Sequence, residues 1–303
     1  MGRVLTSFLM ISVIGFATCE AQQLEPRRWS HLPMDTNFGG TGYAYTGAEI
    51  AFDPALRLDD VSMKLQTLPL KYIRSFELFG RSARVDWLQA YETAEWTGLL
   101  DGAPASTSRE GWSDMALRFA VNVIGAPPLR GKEFAEYRAK TTVETIVGLG
   151  LLVQFPTGQY KEDKLLNLGT NRYTFRPQVG VVHRRGKWSG EFTGSTWIYT
   201  DNDDFFNGRL LEQDPLFTAQ GHIDYTIRPG LWTGGALGYG NGSRSTIDLI
   251  QNDDRRENLA WMASVGYPFS KKVGLKVSYI GVESLVNVGA DSHSVITSIS
   301  VFW

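Results

Sequence analysis

The last ten residues, 294–303, alternate between apolar and polar positions up to the end of the chain. One face of this stretch holds Val295, Thr297, Ile299, Val301 and Trp303. A two-residue period is that of a strand with one apolar and one polar face. Chain ends are usually polar and frayed, whereas the closing strand of a bacterial outer-membrane barrel ends in an aromatic residue at the membrane interface. The pattern therefore predicts an outer-membrane β-barrel whose C-terminal strand is engaged by the barrel-assembly machinery.

The same alternation recurs in the interior of the chain, at 114–123, 217–228, 259–269 and 273–279. In 217–228 the polar positions, among them Gln220, His222 and Asp224, all share one face. In a barrel that face lines the lumen, and the apolar face contacts lipid. We predict an all-β, antiparallel, up-and-down transmembrane barrel of about twelve strands, an even number as in single-chain bacterial barrels. The predicted strands are 43–53, 62–79, 81–97, 111–125, 141–156, 172–185, 187–200, 216–228, 231–247, 257–269, 272–287 and 292–303.

The connections between these strands differ in length, and this difference orients the barrel. Short joins at 80–81, 185–187, 229–230 and 270–272 are expected to be periplasmic turns. Longer polar joins at 98–110, 157–171, 201–215, 248–256 and 288–291 are expected to be extracellular loops. Residues 127–139 begin with two prolines and break the alternation, which indicates a short helix or a longer periplasmic turn.

The first 21 residues predict a secretory signal peptide, with one early positive charge, an apolar stretch from Ser7 to Ala17, and small residues before Gln22. The apolar stretch is too short to span a bilayer. Cys19 is the one cysteine of the chain and would leave with the signal. A lipoprotein with Cys19 acylated is the alternative, although Phe16 stands where leucine is usual.

Residues 22–42 are not strand-like and include Arg27, Arg28, Trp29 and His31. Two interpretations stay open, a disordered periplasmic N-terminal segment and a plug that folds into the lumen through aromatic and arginine contacts. The predicted domains are thus the signal peptide 1–21, this segment 22–42, and the barrel 43–303.

Composition narrows the function classes without identifying a solute. The net charge of −2 gives no electrostatic case for binding nucleic acid. After loss of Cys19 no thiol remains, so disulfide and thiolate chemistry are not expected. The sequence predicts no metal site and no cofactor.

The polar positions predicted to face the lumen carry charges of both signs, which argues against a strongly ion-selective pore. They are Arg84, Asp86, Arg118, Asn122, Glu144, Gln154, Arg176, Gln178, Glu191, Gln220, His222, Asp224, Arg228 and Lys276. His222, Asp224 and a serine such as Ser195 form a hydrolase triad on paper. However, the chain has no Gly-x-Ser-x-Gly motif, and barrel interiors are normally polar. No catalytic residue is therefore assigned.

A long motif lies in the middle of the chain, from Phe155-Pro-Thr-Gly-Gln-Tyr160 through Lys164 to Pro177. Its rim-loop positions are Pro156, Gly158, Tyr160, Asn167, Gly169, Asn171 and Arg172. The motif, with Thr200-Asp-Asn202 and Trp29-Ser-His-Leu-Pro33, resembles the MetA-pathway of phenol degradation family. This sequence differs in having Tyr173 where tryptophan is expected. From the residues alone, turn formation at the rim and direct contact with a solute both stay open.

The resemblance implies an outer-membrane barrel that transports hydrophobic or aromatic compounds. Our leading hypothesis is a passive channel for such small molecules in the bacterial outer membrane, surrounded by lipid and lipopolysaccharide. The alternatives are a general small-solute pore, a structural or surface barrel without transport, and a barrel hydrolase.

Overall fold

The structure is a computed structural model that describes residues 24–51, 58–270 and 272–303. The predicted signal peptide, and the end of the first predicted strand at 52–53, lie outside these residues. In chain order the strands are β1 Asn37–Ala51, β2 Leu58–Leu78, β3 Arg81–Leu100, β4 Ala103–Trp112, β5 Met115–Ile124, β6 Val143–Phe155, β7 Thr174–Arg185, β8 Trp188–Tyr199, β9 Asn202–Phe205, β10 Arg209–Gln213, β11 Leu216–Arg228, β12 Leu231–Gly242, β13 Ser245–Ile247, β14 Ile250–Gln251, β15 Arg256–Pro268, β16 Val273–Ser284 and β17 Gly289–Phe302. Within these residues there is one helix, α1, over Gly131–Lys140.

Twelve of these strands close into an antiparallel barrel, because β1 pairs with β2 on one side and with β17 on the other. The closing seam reaches the end of the chain. Asn37 N donates to Trp303 O over 3.0 Å, and Trp303 N donates to Asn37 O over 3.1 Å. The prediction of a twelve-stranded up-and-down barrel is confirmed. No helix in the described part of the chain has the length and apolar character needed to cross a bilayer.

The two faces of the strands follow the alternation in the sequence. On β17, Val295 and Ile299 point outward and are 51% and 46% exposed, while Ser292 on the alternate parity is buried. On β11, Phe217 and Ile223 lie outside, and the polar positions between them are buried inside. On both strands, the residues predicted to face lipid lie outside, and those predicted to face the lumen lie inside. This follows because successive side chains of a strand point to opposite faces.

The structure differs from the prediction mainly at the strand ends. β1 begins at Asn37 rather than at 43, because residues 38–41 pair with both neighbouring strands. The join predicted as an extracellular loop at 98–110 is instead a tight hairpin: β3 runs on to Leu100, and β4 returns along it. The predicted loop at 201–215 contains β9 and β10, and the predicted loop at 248–256 contains β14. The predicted strand 231–247 is divided, because β12 ends at Gly242 and 245–247 form β13. β9, β10, β13 and β14 make a separate four-stranded sheet. At 127–139 the structure has helix α1.

Candidate functional site in the barrel lumen

Residues 24–36, which we call the inner segment, precede β1 and lie against the inner wall of the barrel. Trp29 is its most deeply buried residue, with 2% exposure. The indole Nε1 donates to Thr193 Oγ1 on β8 over 2.9 Å. The guanidinium of Arg118 on β5 lies 4.6 Å from the centre of the Trp29 rings, a cation–π contact. Trp29 therefore connects walls that are far apart in sequence.

A gap between glycines accommodates the Trp29 side chain. Gly148 on β6 and Gly180 on β7 are direct partners in the β6–β7 register. A Cβ atom on Gly148 would lie 2.3 Å from the Trp29 ring, and one on Gly180 would lie 2.0 Å from its Nε1. Any side chain at either position would occupy the volume of the indole, so these two glycines permit the buried position of Trp29.

Two arginines next to Trp29 fasten the inner segment to the polar side of the lumen. Arg27 forms an ion pair with Asp224 on β11 at 3.7 Å, and its Nη2 donates to Thr226 Oγ1 over 3.0 Å. Arg28 Nη1 donates to Gln178 Oε1 on β7 over 3.2 Å. These charge-assisted contacts fix the orientation of the segment around the tryptophan.

His31 links the inner segment to helix α1, at the end of the barrel opposite the rim loop. Its Nε2 lies 2.7 Å from Pro127 O, and its Nδ1 lies 3.4 Å from Glu144 Oε1. Glu144 also accepts hydrogen bonds from Tyr137 at 2.9 Å and Arg138 at 3.1 Å, both on α1. Partial burial and then the hydrogen bond to Glu144 raise the pKa of the Tyr137 hydroxyl. The helix thus supports the segment through one shared carboxylate.

The other side of the lumen contains a cavity of about 440 Å³, within the range of small-ligand pockets, about 300–1,000 Å³. Its outer part is apolar and includes Leu65 and Trp96, which pack in one cluster with Leu168. Its inner part is polar, with Glu25, Lys71 and Lys276 among the lining groups. The inner segment therefore divides the lumen: on one side it packs against the polar wall, and on the other it borders the largely apolar cavity through Leu24, Glu25 and Arg28.

The rim loop, residues 156–173, folds over the outer end of this cavity through Leu168. Asp114, between β4 and β5, is its main anchor: it accepts hydrogen bonds from Gly158 N at 2.8 Å, Thr170 N at 2.8 Å and Thr170 Oγ1 at 2.6 Å. Gly158 and Gly169 meet closely, since a Cβ on Gly158 would lie 2.8 Å from the Gly169 Cα.

Asparagines organise the rest of the rim loop. Asn167 bridges the backbone of Lys161 and Lys164. Asn202 donates to Tyr160 Oη over 3.0 Å and accepts from Asn171 over 2.9 Å. These contacts show how the motif residues make a compact rim, and contact with a solute remains a proposal.

The structure groups most of the predicted lumen residues. Asp86 pairs with Arg84 at 2.6 Å and with Arg118 at 3.2 Å, across the β3–β5 pair. Arg176 is fully buried, with its guanidinium 4.4 Å from the centre of the Trp197 rings. The others that are buried inside are Glu144, Gln154, Gln178, Glu191, Gln220, His222 and Asp224.

Four predicted lumen residues are less buried than this group, and one of them is Arg84, which is half-buried beside Asp86. Asn122 is half-buried and donates to Ser82 Oγ over 3.0 Å. Lys276 is half-buried and lines the cavity. Arg228 is the last residue of β11 and is exposed, next to a register irregularity between Thr226 and Arg228.

The residues of the candidate hydrolase triad, Ser195, His222 and Asp224, have other partners. Ser195 Oγ accepts from Arg176 Nε over 2.9 Å and lies 2.7 Å from Thr218 Oγ1. His222 Nε2 lies 3.1 Å from Gln220 Oε1. Asp224 faces Arg27. This arrangement is a hydrogen-bonded wall of the lumen rather than an aligned nucleophile and base.

Sequence reasoning did not single out Glu25, Lys71, Asp114, Gly148 or Gly180. Asp114 and Lys71 are polar residues in or beside alternating stretches, as are many other residues of this chain, so nothing in the sequence distinguishes them. The glycines are informative only in pairs, once the β6–β7 register is known.

These features define an outer-membrane β-barrel with a chain segment inside its lumen. The chain belongs to the family described as "Putative MetA-pathway of phenol degradation", whose model matches residues 38–286. No curated protein matches the chain significantly.

Two solved structures illustrate the fold likeness. The COG4313 outer membrane channel from Pseudomonas putida F1 is similar with a TM-score of 0.77 and 22% identity, covering 93% of this chain and 100% of that one. The transport unit of the autotransporter AIDA-I from Escherichia coli has a TM-score of 0.51 and 8% identity, covering 94% of each chain. The protein is thus a barrel of the bacterial outer membrane, with lipid around its apolar outer face.

Proposed function

We propose that the protein is a passive channel that admits small hydrophobic or aromatic compounds through the outer membrane. The observation that carries the proposal is the divided lumen, in which an apolar cavity lies beside the inner segment held by Trp29. An aromatic molecule would find apolar walls on its route, including Leu65 and Trp96. The family description, which refers to phenol degradation, supports the same class of solute.

In this proposal the inner segment is a plug that narrows the periplasmic half of the pore. Its contacts reach β5, β7, β8 and β11 on one arc of the ring, and the Glu25–Lys71 ion pair reaches β2 on the opposite wall, so it crosses much of the cross-section. The rim loop would form the outer entrance and make the first contact with the solute. The C-terminal strand, which ends the closing seam, would be the element recognised by the assembly machinery. We assign no catalytic step to the lumen.

The test must use a membrane that resists hydrophobic solutes, because small aromatic compounds cross phospholipid bilayers unaided. We would measure early uptake of radiolabelled phenol and naphthalene, with arabinose for comparison, in a porin-deficient Gram-negative host with intact lipopolysaccharide. Saturable acceleration of aromatic uptake by the protein, with little effect on arabinose, is the expected result.

Other outcomes separate the alternatives. Equal, unsaturable entry of arabinose and phenol would indicate a general pore. Unchanged uptake of all solutes, with the barrel correctly inserted, would overturn the transport proposal and favour a structural barrel. Matched cells that express the protein at the same level with a deleted inner segment measure how much that segment restricts entry.

A further inference from the structure

The inner end of the cavity is a cluster of positive side chains occupied by a carboxylate of the chain itself. Glu25 forms ion pairs with Lys71 on β2 and with Arg28 at 3.5 Å. All three residues line the cavity, as does Lys276 on β16. At this end three cations therefore face one anion, and Glu25 holds the position that an anionic ligand would take.

The wall between the two lysines is built from small residues. Lys71 pairs with Gly40 on β1, and Lys276 pairs with Ser298 on β17, which itself pairs with Gly42. Across these positions no bulky side chain separates the two ammonium groups, so both can reach toward the same anion. Within the described residues, Lys276 makes neither a hydrogen bond nor a direct ion pair.

The positive charges at the inner end of the cavity, which we call the cavity floor, favour the ionised form of Glu25. Glu25 belongs to the inner segment and not to a membrane strand. Burial by itself raises the pKa of the Glu25 carboxyl, but Lys71, Arg28 and Lys276 together hold that pKa well below its ordinary value. A site that stabilises one carboxylate in this way will stabilise another of the same charge and shape.

We propose that this cation cluster is an anion subsite, and that the channel prefers small apolar molecules that carry one carboxylate. The apolar part of the ligand would lie against Leu65 and Trp96, and its carboxylate would replace that of Glu25 on Lys71, Arg28 and Lys276. This inference deepens the proposed function and rests on it. It also couples entry to gating, because displacing Glu25 removes one fastening of the inner segment.

Equilibrium binding to the purified full-length mature protein in detergent tests the subsite without a membrane barrier. The probes are benzoate, the neutral benzyl alcohol of similar size, and acetate, which has the carboxylate without the ring. Isothermal titration calorimetry gives each Kd. We expect Glu25→Gln to tighten benzoate binding about tenfold, the factor set by one charge-assisted hydrogen bond. Benzyl alcohol binding should not change.

A second variant separates a specific subsite from a general increase in positive charge. Lys276→Met in the Glu25→Gln background should return the Kd of benzoate to near that of benzyl alcohol. The matched controls are Lys132→Met and Glu136→Gln on the exposed face of α1, where the side chains are 90% and 53% exposed. Neither control should alter any Kd, and acetate should bind too weakly to measure in every variant.

The outcomes distinguish this inference from the proposed function. If benzyl alcohol binds and benzoate gains nothing from Glu25→Gln, the anion subsite is wrong while the channel proposal stands. If acetate binds as tightly as benzoate, the apolar cavity contributes nothing and the inference is overturned. If none of the probes binds, the inference fails, and uptake of phenol and naphthalene in cells decides the proposed function separately.

Discussion

Replacing Trp29 by alanine should release the inner segment and enlarge the pore. Trp29 is the largest side chain of the segment and is 2% exposed. It contributes a hydrogen bond to Thr193 and a cation–π contact with Arg118 as well as its buried surface. The ion pairs of Arg27 and Glu25, whose side chains are each 30% exposed, are weaker anchors.

The expected size of the effect follows from the burial. A tryptophan buries about 150–250 Å², which at about 25 cal/mol per Å² amounts to about 4–6 kcal/mol. The hydrogen bond adds about 1 kcal/mol, and the cation–π contact adds a similar amount. Measured Trp→Ala costs of about 3–5 kcal/mol include partial relaxation and are the better guide. Each 1.4 kcal/mol corresponds to a factor of ten in an equilibrium constant. The ratio of barrels with the inner segment bound to the wall to barrels with the segment detached should therefore fall by about 100-fold to a few thousand-fold.

Single-channel recording in planar lipid bilayers measures this change directly. The Trp29→Ala protein should show larger and more variable conductance than the unmodified protein. The matched control is Trp188→Ala, because Trp188 lies on the outer face of the barrel and is 56% exposed. Heat-modifiable gel mobility confirms that each variant is a folded barrel.

A protein that lacks residues 24–34 shows the largest conductance that removal of the inner segment can produce. If the deletion raises the conductance and Trp29→Ala does not, tryptophan is not the main anchor. If neither change affects the conductance of a folded barrel, the inner segment does not restrict the pore, and the reasoning from its contacts is refuted.

The other expectations address the wall, the rim, the seam and pH. Gly180→Val should mimic Trp29→Ala in bilayer recordings, because its side chain occupies the volume of the indole; unchanged conductance would contradict the glycine argument. Asp114→Ala should weaken the rim loop by about 2–4 kcal/mol, because several donors lose a charged acceptor, and limited proteolysis should cut that loop faster while the barrel stays folded. Deletion of Trp303 removes two backbone bonds of the closing seam, so we expect less heat-modifiable barrel in outer-membrane fractions, and full recovery would contradict it. The depressed pKa of Glu25 means that its contribution to holding the inner segment is complete above the ordinary carboxyl pKa of about 4.3 and is lost as pH falls below it. The Glu25→Gln protein should therefore lack the part of the conductance rise that the unmodified protein shows in stronger acid, and an identical acid response in the two proteins would contradict this role of Glu25.

The sequence by itself determined the barrel, the faces of its strands and its approximate strand limits. These follow from a period of two, which depends only on the local geometry of an extended chain. Val295 and His222 could therefore be assigned to lipid and lumen without knowing any neighbouring strand. The hairpin of β3 and β4 was missed because β4 is rich in small and polar residues, is exposed on both faces at 103–106, and beyond that has one face that is only half-buried. A strand with no buried face carries little alternation of apolar and polar residues.

Only the tertiary structure decided how the lumen is divided. Gly148 and Gly180 make room for Trp29 because the β6–β7 register places them side by side, although 32 positions separate their numbers. The cavity floor likewise depends on Lys71 and Lys276 meeting across the seam where the first and last strands join. Strand order and register around the closed ring determine which inward residues meet. The alternation within a single strand contains no information about either strand order or register.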